Sequence, residues 1–374
     1  MKNKLFIITI LCAFAAGCGP AGDGTGILDF NPPEDVIPRL LSAQKNAASW
    51  DKPEALKSLT VLHFTDLHGD PVNLARIVEF YDAYDEYIDE AIHAGDAVIC
   101  YWDNPNEWNN VPGAERILNT IGNHDCWQGH KVWAETDYPY DASQEDAYAL
   151  IMKPFIKGWN VVQPDGVDDP SSPDWCACYY YKDYEDSGIR MIVLDCMHYF
   201  DAQKQWFDKT LAEALEKNLQ VFVVQHYPAQ TGVEGIACGF TPVGRNIRAE
   251  ENPDVPQMEC MPDAAFASVD RFMDGGGTFI CWLSGHTHTD FIGHVAGHSR
   301  QLQIIADKSG EGDGYMREDR TVGTRNQDAF NLVTFNPSKG MVVLDRIGCT
   351  REGDMRSKKL FVYNYLTGQV VTSE

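Results

Sequence analysis

Gly122-Asn123-His124-Asp125 sets an amide, an imidazole and a carboxylate on three consecutive residues behind a glycine. The apolar run from Arg116 to Ile121 reads as a buried strand ending in that glycine turn. Such side chains at the carboxyl end of a strand suit ligation and proton transfer better than packing, and open α/β sheets keep their sites at that edge. The arrangement recurs. The strand Leu59 to Phe64 delivers Asp66 and His68 just past its end, and a strand over about Glu90 to His93 runs into Gly95-Asp96. The Val- and Phe-rich run Gln220 to Gln225 ends in His226, and Thr278 to Leu283 leads into Gly285-His286-Thr287-His288. Oxygen and imidazole ligands without thiolates suit Mn, Fe or Zn in a reactive centre rather than a structural zinc, which favours cysteine. Two such ions about 3.5–4 Å apart can clamp the attacking and leaving oxygens of an in-line displacement at phosphorus.

In order, Asp66-x-His68, Gly95-Asp96, Gly122-Asn123-His124-Asp125, His226 after a buried strand and Gly285-His286-x-His288 resemble the motifs of the calcineurin-like metallophosphoesterase family, over about residues 58 to 306. The resemblance implies a four-layer α/β/β/α sandwich, two central sheets faced by helices. It also implies that Asp66, His68 and His288 hold a first divalent metal ion and Asn123, His226 and His286 a second. Asp96 would bridge the two and offset the repulsion between dications. The implied activity is hydrolysis of a small phosphate ester, monoester or diester, by a hydroxide shared between the ions. His124 is expected to face the phosphate and protonate the leaving oxygen or stabilise its charge, with Asp125 fixing its orientation. His63, His93, His130, His198, His294 and His298 carry no comparable signal and read as structural or surface residues. Purple acid phosphatases of the same superfamily carry a tyrosine three residues after the Gly-Asp aspartate. Here that residue is Ile99, which argues against a tyrosinate-bound ferric ion.

The elements that must position these residues follow from periodicity. Pro71 opens an amphipathic helix to about Tyr87, with Leu74, Ile77, Val78 and Tyr81 on one side. A helix is expected from about Ser143 to Lys157, a hairpin over Cys176 to Tyr181 and Ile189 to Leu194, and a helix from Asp201 to about Lys217 burying Trp206, Leu211 and Leu215. Residues 227–262 lack periodicity and have the length of a lid or binding loop. A further helix spans about Pro262 to Met273. The remainder reads as strands, with turns at Asn336 to Gly340 and Leu366 to Gly368. The phosphoesterase core is thus expected over 58–310, with a β-rich extension over 311–374 that extends or flanks the second sheet.

Residues 1–17 read as a processing signal: Lys2 and Lys4 precede the apolar run Leu5 to Ala16, and Ala15-Ala16-Gly17-Cys18 resembles the lipobox of a bacterial lipoprotein. Cys18 would then be the lipidated N-terminus, residues 18–57 a tether and lead-in, and the destination the cell envelope, with the outer membrane favoured. The chain carries 55 acids against 30 bases, a formal charge of −25. That balance disfavours a nucleic-acid polymer as substrate, since such binders carry a basic footprint. Nine of the eleven cysteines would remain once Cys12 leaves with the signal and Cys18 is lipidated, and Cys238 and Cys260 bracket a long loop that a disulfide could staple. Trp102, Trp108, Trp127, Trp133, Tyr138 and Tyr140 either stack on substrate or pack loops onto the core, and Arg245, Arg248, Arg317, Arg320 and Arg325 are candidates for a phosphate contact. The alternative function is a surface lipoprotein that keeps the fold as a binding scaffold. Degenerate scaffolds lose ligands, and every motif here is intact.

Overall fold

The computed structural model describes residues 56–98, 108, 110–126, 144–229, 261–288, 290–308, 328–348 and 360–373. The leader, Cys18, all but the end of the tether, and both Cys238 and Cys260 lie outside the described residues. Within them, one sheet has seven strands: β1 (Leu59–Phe64), β2 (Glu90–His93), β3 (Leu118–Asn119), β10 (Ala329–Asn336), β11 (Met341–Gly348), β12 (Leu360–Asn364) and β13 (Gln369–Ser373), in the order β13-β12-β11-β10-β1-β2-β3. The other has six: β4 (Tyr180–Tyr184), β5 (Ile189–Val193), β6 (Gln220–Val224), β7 (Phe279–Ser284), β8 (Phe291–Val295) and β9 (His298–Ile305), in the order β4-β5-β6-β7-β9-β8. The strands that carry site motifs run parallel to one another within each sheet, β1 with β2 and β3, and β6 with β7. Their carboxyl ends therefore share an edge.

Val61, Ile92, Met191, Phe222, Leu283, Ile304, Val333 and Phe335 interleave between the sheets as the main core. The strands facing that core are buried on both sides, so a second layer of apolar residues needs its own cover. Helices α3 (Asp201–Glu216) and α4 (Asp263–Asp274) cover the second sheet through Phe207, Leu211, Val269, Phe272 and Trp282. Helix α1 (Pro71–Ala83) covers the first: Phe80 meets Phe330 of β10 with ring centroids 5.0 Å apart, and Arg76 forks onto Asp328 at 3.0 and 2.8 Å. Its start is set by Asp70, whose carboxylate accepts from the backbone N–H of Val72 and Asn73, with Pro71 at the first helical position. The layers are α1, the two sheets, then α3 with α4.

The C-terminal strands differ from expectation. They complete the first sheet rather than flank the second, because β10 pairs antiparallel with β1 along Leu59–His63. Strands from the C-terminal part of the sequence thus form four of the seven strands of the sheet that holds Asp66, a long-range pairing that strand periodicity does not encode. The third strand is only two residues long, and just beyond it the Thr120 hydroxyl donates to the Leu194 carbonyl, which follows β5 of the other sheet, 2.7 Å away. The helix expected from Ser143 is a short α2 (Gln144–Ala147) running into a π-helical turn over Tyr148–Met152. Helix α3 turns Leu215 outward, 37% exposed, and buries Gln203 instead. That glutamine accepts from Asp195 N–H at 2.8 Å and donates to the Asp195 carbonyl at 2.9 Å, so its burial is polar, and apolar periodicity misses it. The described cysteines, Cys126, Cys176, Cys178, Cys196 and Cys281, are all free and buried. Among the described residues no helix is long and apolar enough to cross a membrane.

His298, expected as a plain structural or surface residue, lies between two carboxylates of α4, with Nε2 2.9 Å from Asp263 and Nδ1 2.5 Å from Asp270. Partial burial works against its charge, yet the bonds to Asp263 and Asp270 raise its pKa above the ordinary 6.5. A raised folded-state pKa makes a stability contribution that is complete below 6.5 and disappears as pH climbs through the folded value. Urea unfolding at a series of pH values should show stability falling above pH 6.5, and His298→Asn should flatten that part of the curve. An unchanged slope in the variant would remove His298 as its source.

Candidate active site

Five of the eight non-glycine residues with positive φ among the described residues are site candidates: Asp66 (φ 54°), His68 (49°), Asp96 (60°), His286 (70°) and His288 (48°). The left-handed region costs an L-residue roughly 1–2 kcal/mol, so the surrounding structure must hold these turns. It does so by bonding the loops in pairs. Asp66 N–H donates to the Gly95 carbonyl at 3.0 Å and His68 N–H to the Asp96 carbonyl at 2.9 Å, joining the loops after β1 and β2. Gly285 N–H donates to the His226 carbonyl at 3.1 Å, joining the loops after β6 and β7. Bonds between the sheets then connect the two pairs. His226 Nδ1–H donates to the Ala94 carbonyl at 2.7 Å, and His286 N–H donates to Asp66 Oδ2 at 2.9 Å.

The glycines of the motifs are required by space. A Cβ on Gly95 would stand 2.7 Å from the His226 ring, one on Gly122 would overlap Asp96, and one on Gly285 would overlap the Thr65 hydroxyl and press on Asp66. Gly95 also has φ 91°, which favours glycine independently.

All seven expected ligands lie on this edge, and the structure brings them together. Asp66 Oδ1 is 3.1 Å from His288 Nε2 and 3.7 Å from His68 Nε2. His226 Nε2 is 3.0 Å from Asn123 Oδ1 and 3.2 Å from Asp96 Oδ2. Asp96 Oδ2 is also 3.3 Å from His68 Nε2, so one carboxylate touches both groups. The ligand atoms of Asp66, His68 and His288 cluster within 4.8 Å of one another, as do those of Asp96, His226 and His286. A third grouping of the same tightness, His68, Asp96 and His124, sets the His124 ring beside the shared carboxylate. His124 stacks on His68 with centroids 4.3 Å apart, and its backbone N–H donates to Asp96 Oδ1 at 2.8 Å.

These atoms fit a cation. The Ala94 carbonyl claims the proton on Nδ1 of His226, so in the neutral ring Nε2 presents a lone pair toward two oxygens that only accept or are anionic. Buried Asp66 Oδ1 faces the imidazoles of His288, at 3.1 Å, and His68, at 3.7 Å. Electron-rich atoms aimed at one another are stable only around positive charge. Burial opposes ionisation of Asp66, yet His288 and His226 hold its pKa well below the usual carboxylate value. Asp96 behaves alike, with His226 and His124 outweighing its burial. Burial also opposes the charge on His226, but Asp96 and Asp66 raise its pKa to about 9, so the oxygens that suit a cation beside Nε2 equally hold a proton on it. His286, lowered to about 3 by burial and by His226, stays neutral and keeps a lone pair.

Asp125 also ties the site loops together. Its carboxylate accepts from the backbone N–H groups of Gly122 (2.9 Å), Asp96 (3.0 Å) and Val98 (3.2 Å), which clamps the loop after β2 to the loop after β3. Burial and the Asp96 charge push its pKa up to about 7. Trp108 is buried with its ring 5.1 Å from that of His93, so it packs the loop onto the core. Ile99, the other loop aromatics, His130 and the five candidate arginines lie outside the described residues. Sequence reasoning missed Thr65, whose hydroxyl donates to Asp66 Oδ2 at 2.6 Å, and Tyr227, whose ring stands 4.5 Å from His286. It also missed the buried pair of Asp195 and His198, 2.8 Å apart, beside a cleft of about 550 Å³ shared with Tyr179, Tyr199 and Phe200. Lys308 is a further omission, its Nζ 3.4 Å from His68 Nδ1. The available signal was position: Lys308 follows a strand parallel to β7.

Two sheets that gather acids, an amide and imidazoles at one edge define a metal-dependent hydrolase. The chain belongs to the calcineurin-like phosphoesterase family, whose model matches residues 59–290. It is therefore a phosphoric ester hydrolase, of a family that works with divalent metals. The fold is similar to that of a dimetal phosphatase from Danio rerio, with a TM-score of 0.50 at 11% identity over 82% of this chain and 99% of that one. A 5'-nucleotidase from Candida albicans matches more loosely, with a TM-score of 0.34 at 13% identity over 67% of this chain and 45% of that one. Among curated proteins none matches.

Gly285→Ala should reduce the metal retained per chain by at least about tenfold, because its Cβ displaces Thr65 and Asp66. Gly158→Ala, with nothing near the added carbon and no left-handed backbone, is the control and should retain it. Metal analysis after gel filtration reads both, and equal retention would show that Gly285 is not spatially required.

Proposed function

We propose that this protein hydrolyses small phosphate esters at a site holding two divalent cations, with Asp96 shared between them. The observation that supports this reading best is Asp96 Oδ2, 3.3 Å from a nitrogen of one ligand group and 3.2 Å from a nitrogen of the other. The bound cations would supply Lewis acidity toward the phosphoryl oxygens and lower the pKa of the attacking water. Mn, Fe and Zn all suit the donor set of carboxylate, amide and imidazole.

The chain's own residues do the positioning. Asp125 holds the Asp96 and Gly122 loops at a fixed separation, and the Asp96–His124 backbone bond sets where the His124 ring starts. Stacked on His68 at the rim, His124 is suited to deliver a proton to the departing oxygen, a task that contributes typically ~10²–10⁴-fold. Buried His226 and Asn123 hold one wall. The complete ligand set favours catalysis over a scaffold that only binds.

The test compares Mn-dependent turnover of bis(p-nitrophenyl) phosphate and p-nitrophenyl phosphate, with Asp96→Asn and His124→Ala alongside. Wild type should turn over at least one ester, and Asp96→Asn should lose the activity. His124→Ala should cost about 10²-fold or more with an unactivated phenyl ester and much less with p-nitrophenol as leaving group. Retained activity in Asp96→Asn with full metal loading would rule out a shared ligand. Metal binding without turnover of any ester would favour the scaffold reading.

The same reading includes a lipid anchor at Cys18 and a site of action in the bacterial cell envelope, supported by the lipobox-like Ala15-Ala16-Gly17-Cys18. In bacteria fed radiolabelled palmitate the full-length protein should take up label and fractionate with the envelope. Cys18→Ala should abolish both, and labelling that survives the substitution would exclude this anchor.

A further inference from the structure

Strand β9 runs parallel to β7, with Gln303, Ile304 and Ile305 opposite Trp282, Leu283 and Ser284. The pairing continues one step further, as Ala306 N–H donates to the Ser284 carbonyl at 3.0 Å. Lys308 therefore leaves the sheet at the edge that carries His286 and His288. Its backbone is held rather than loose. Lys308 N–H donates to Asp307 Oδ1 at 2.7 Å, and Asp307 N–H donates to Asp290 Oδ1 at 3.1 Å. Asp290 pairs with Arg346, a β11 residue only 3% exposed that also donates to Asn331 at 3.1 Å. A buried ion pair between β11 of the first sheet and the residue that precedes β8 of the second thus helps to anchor a lysine at the site.

The ammonium stands on the Nδ1 side of His68, 3.4 Å away, while Asp66 and Asp96 stand on its Nε2 side at 3.7 and 3.3 Å. The imidazole separates the positive charge from the two carboxylates. The other neighbours of that ring are His124 and His288, with centroids at 4.3 and 4.9 Å. Here the geometry sets its Nζ at the half-exposed rim beside His68, the ring on which His124 stacks.

We propose that Lys308 is a substrate-binding residue that contacts a non-bridging phosphoryl oxygen and favours dianionic phosphomonoesters over monoanionic diesters. The proposal rests on the hydrolytic reading above and names its substrate class. Lysine serves such contacts as a point charge, so the benefit scales with the charge of the bound group and not with bidentate geometry. Loss of that charge weakens a dianion more than a monoanion.

The test uses the metal-loaded protein and three forms: wild type, Lys308→Met and Lys308→Arg. KM and kcat are measured for both p-nitrophenyl esters, and binding of inorganic phosphate is measured by calorimetry. Lys308→Met should raise the monoester KM and the phosphate dissociation constant about tenfold, change the diester KM less than about threefold, and keep its metal. Lys308→Arg should recover most of the monoester KM. Equal losses on both esters together with loss of metal would make Lys308 a positioning residue for His68 and overturn the proposal, as would phosphate binding unchanged in Lys308→Met. If wild type turns over neither ester but phosphate binding still falls tenfold in Lys308→Met, the anion contact stands and the hydrolytic reading fails.

Discussion

One hydrogen bond between the sheets governs the site: His226 Nδ1–H to the Ala94 carbonyl, 2.7 Å long and fully buried. It settles the tautomer of His226, so that Nε2 faces Asn123 and Asp96 from the opposite sheet. It also fixes the distance between the ends of β2 and β6, which no covalent connection nearby determines. A metal-ligating imidazole needs such a partner on its other nitrogen, and a backbone carbonyl cannot rotate away as a side chain can. The interleaved core keeps the two sheets at the separation that makes the bond possible.

The loops around that bond are conformationally expensive. Asp66, His68, Asp96, His286 and His288 all occupy the left-handed region. Strain of this kind persists only where surrounding contacts over-determine it. Here the contacts are backbone bonds between neighbouring loops and the Asp125 carboxylate, which collects three N–H groups from two of them. The gain is direction. A left-handed residue at the end of a strand turns its side chain out of the pleat toward the space between the sheets, and the glycines at positions 95, 122 and 285 give up the volume those side chains need. Charge follows the same logic. Two buried carboxylates kept anionic among imidazoles form a well suited to a cation, in a protein whose overall charge of −25 would otherwise offer little to an anionic substrate.

Much of the site was legible because its residues follow strands whose alternation or continuous apolarity is strong. Leu59 to Phe64, Glu90 to His93 and Gln220 to Val224 form strands where periodicity places them, and the polar residue just beyond each is conspicuous. Legibility failed where polarity hides a structural task. Gln203 is buried because it satisfies the backbone of Asp195, so α3 rotates relative to its apolar pattern. Asp125 reads as the partner of its neighbour His124, and nothing local signals that its oxygens also collect backbone groups as far away as Asp96. The C-terminal strands were readable as strands and not as members of the first sheet, since pairing β10 with β1 spans the whole core.

By itself the sequence determined the donor chemistry and its order: carboxylate, imidazole and amide residues behind glycines at the ends of apolar runs. Those properties are local, set by residue type and by the period of a few neighbours. Only the tertiary structure decided which donors meet. It assigned the His226 tautomer, made Asp96 the residue common to both ligand groups, turned Asp125 into a clamp and brought Lys308 to the side of His68 from 240 residues away. Such contacts depend on the register between strands and on the packing of one sheet against the other, which arise from the whole core and not from any single stretch of chain.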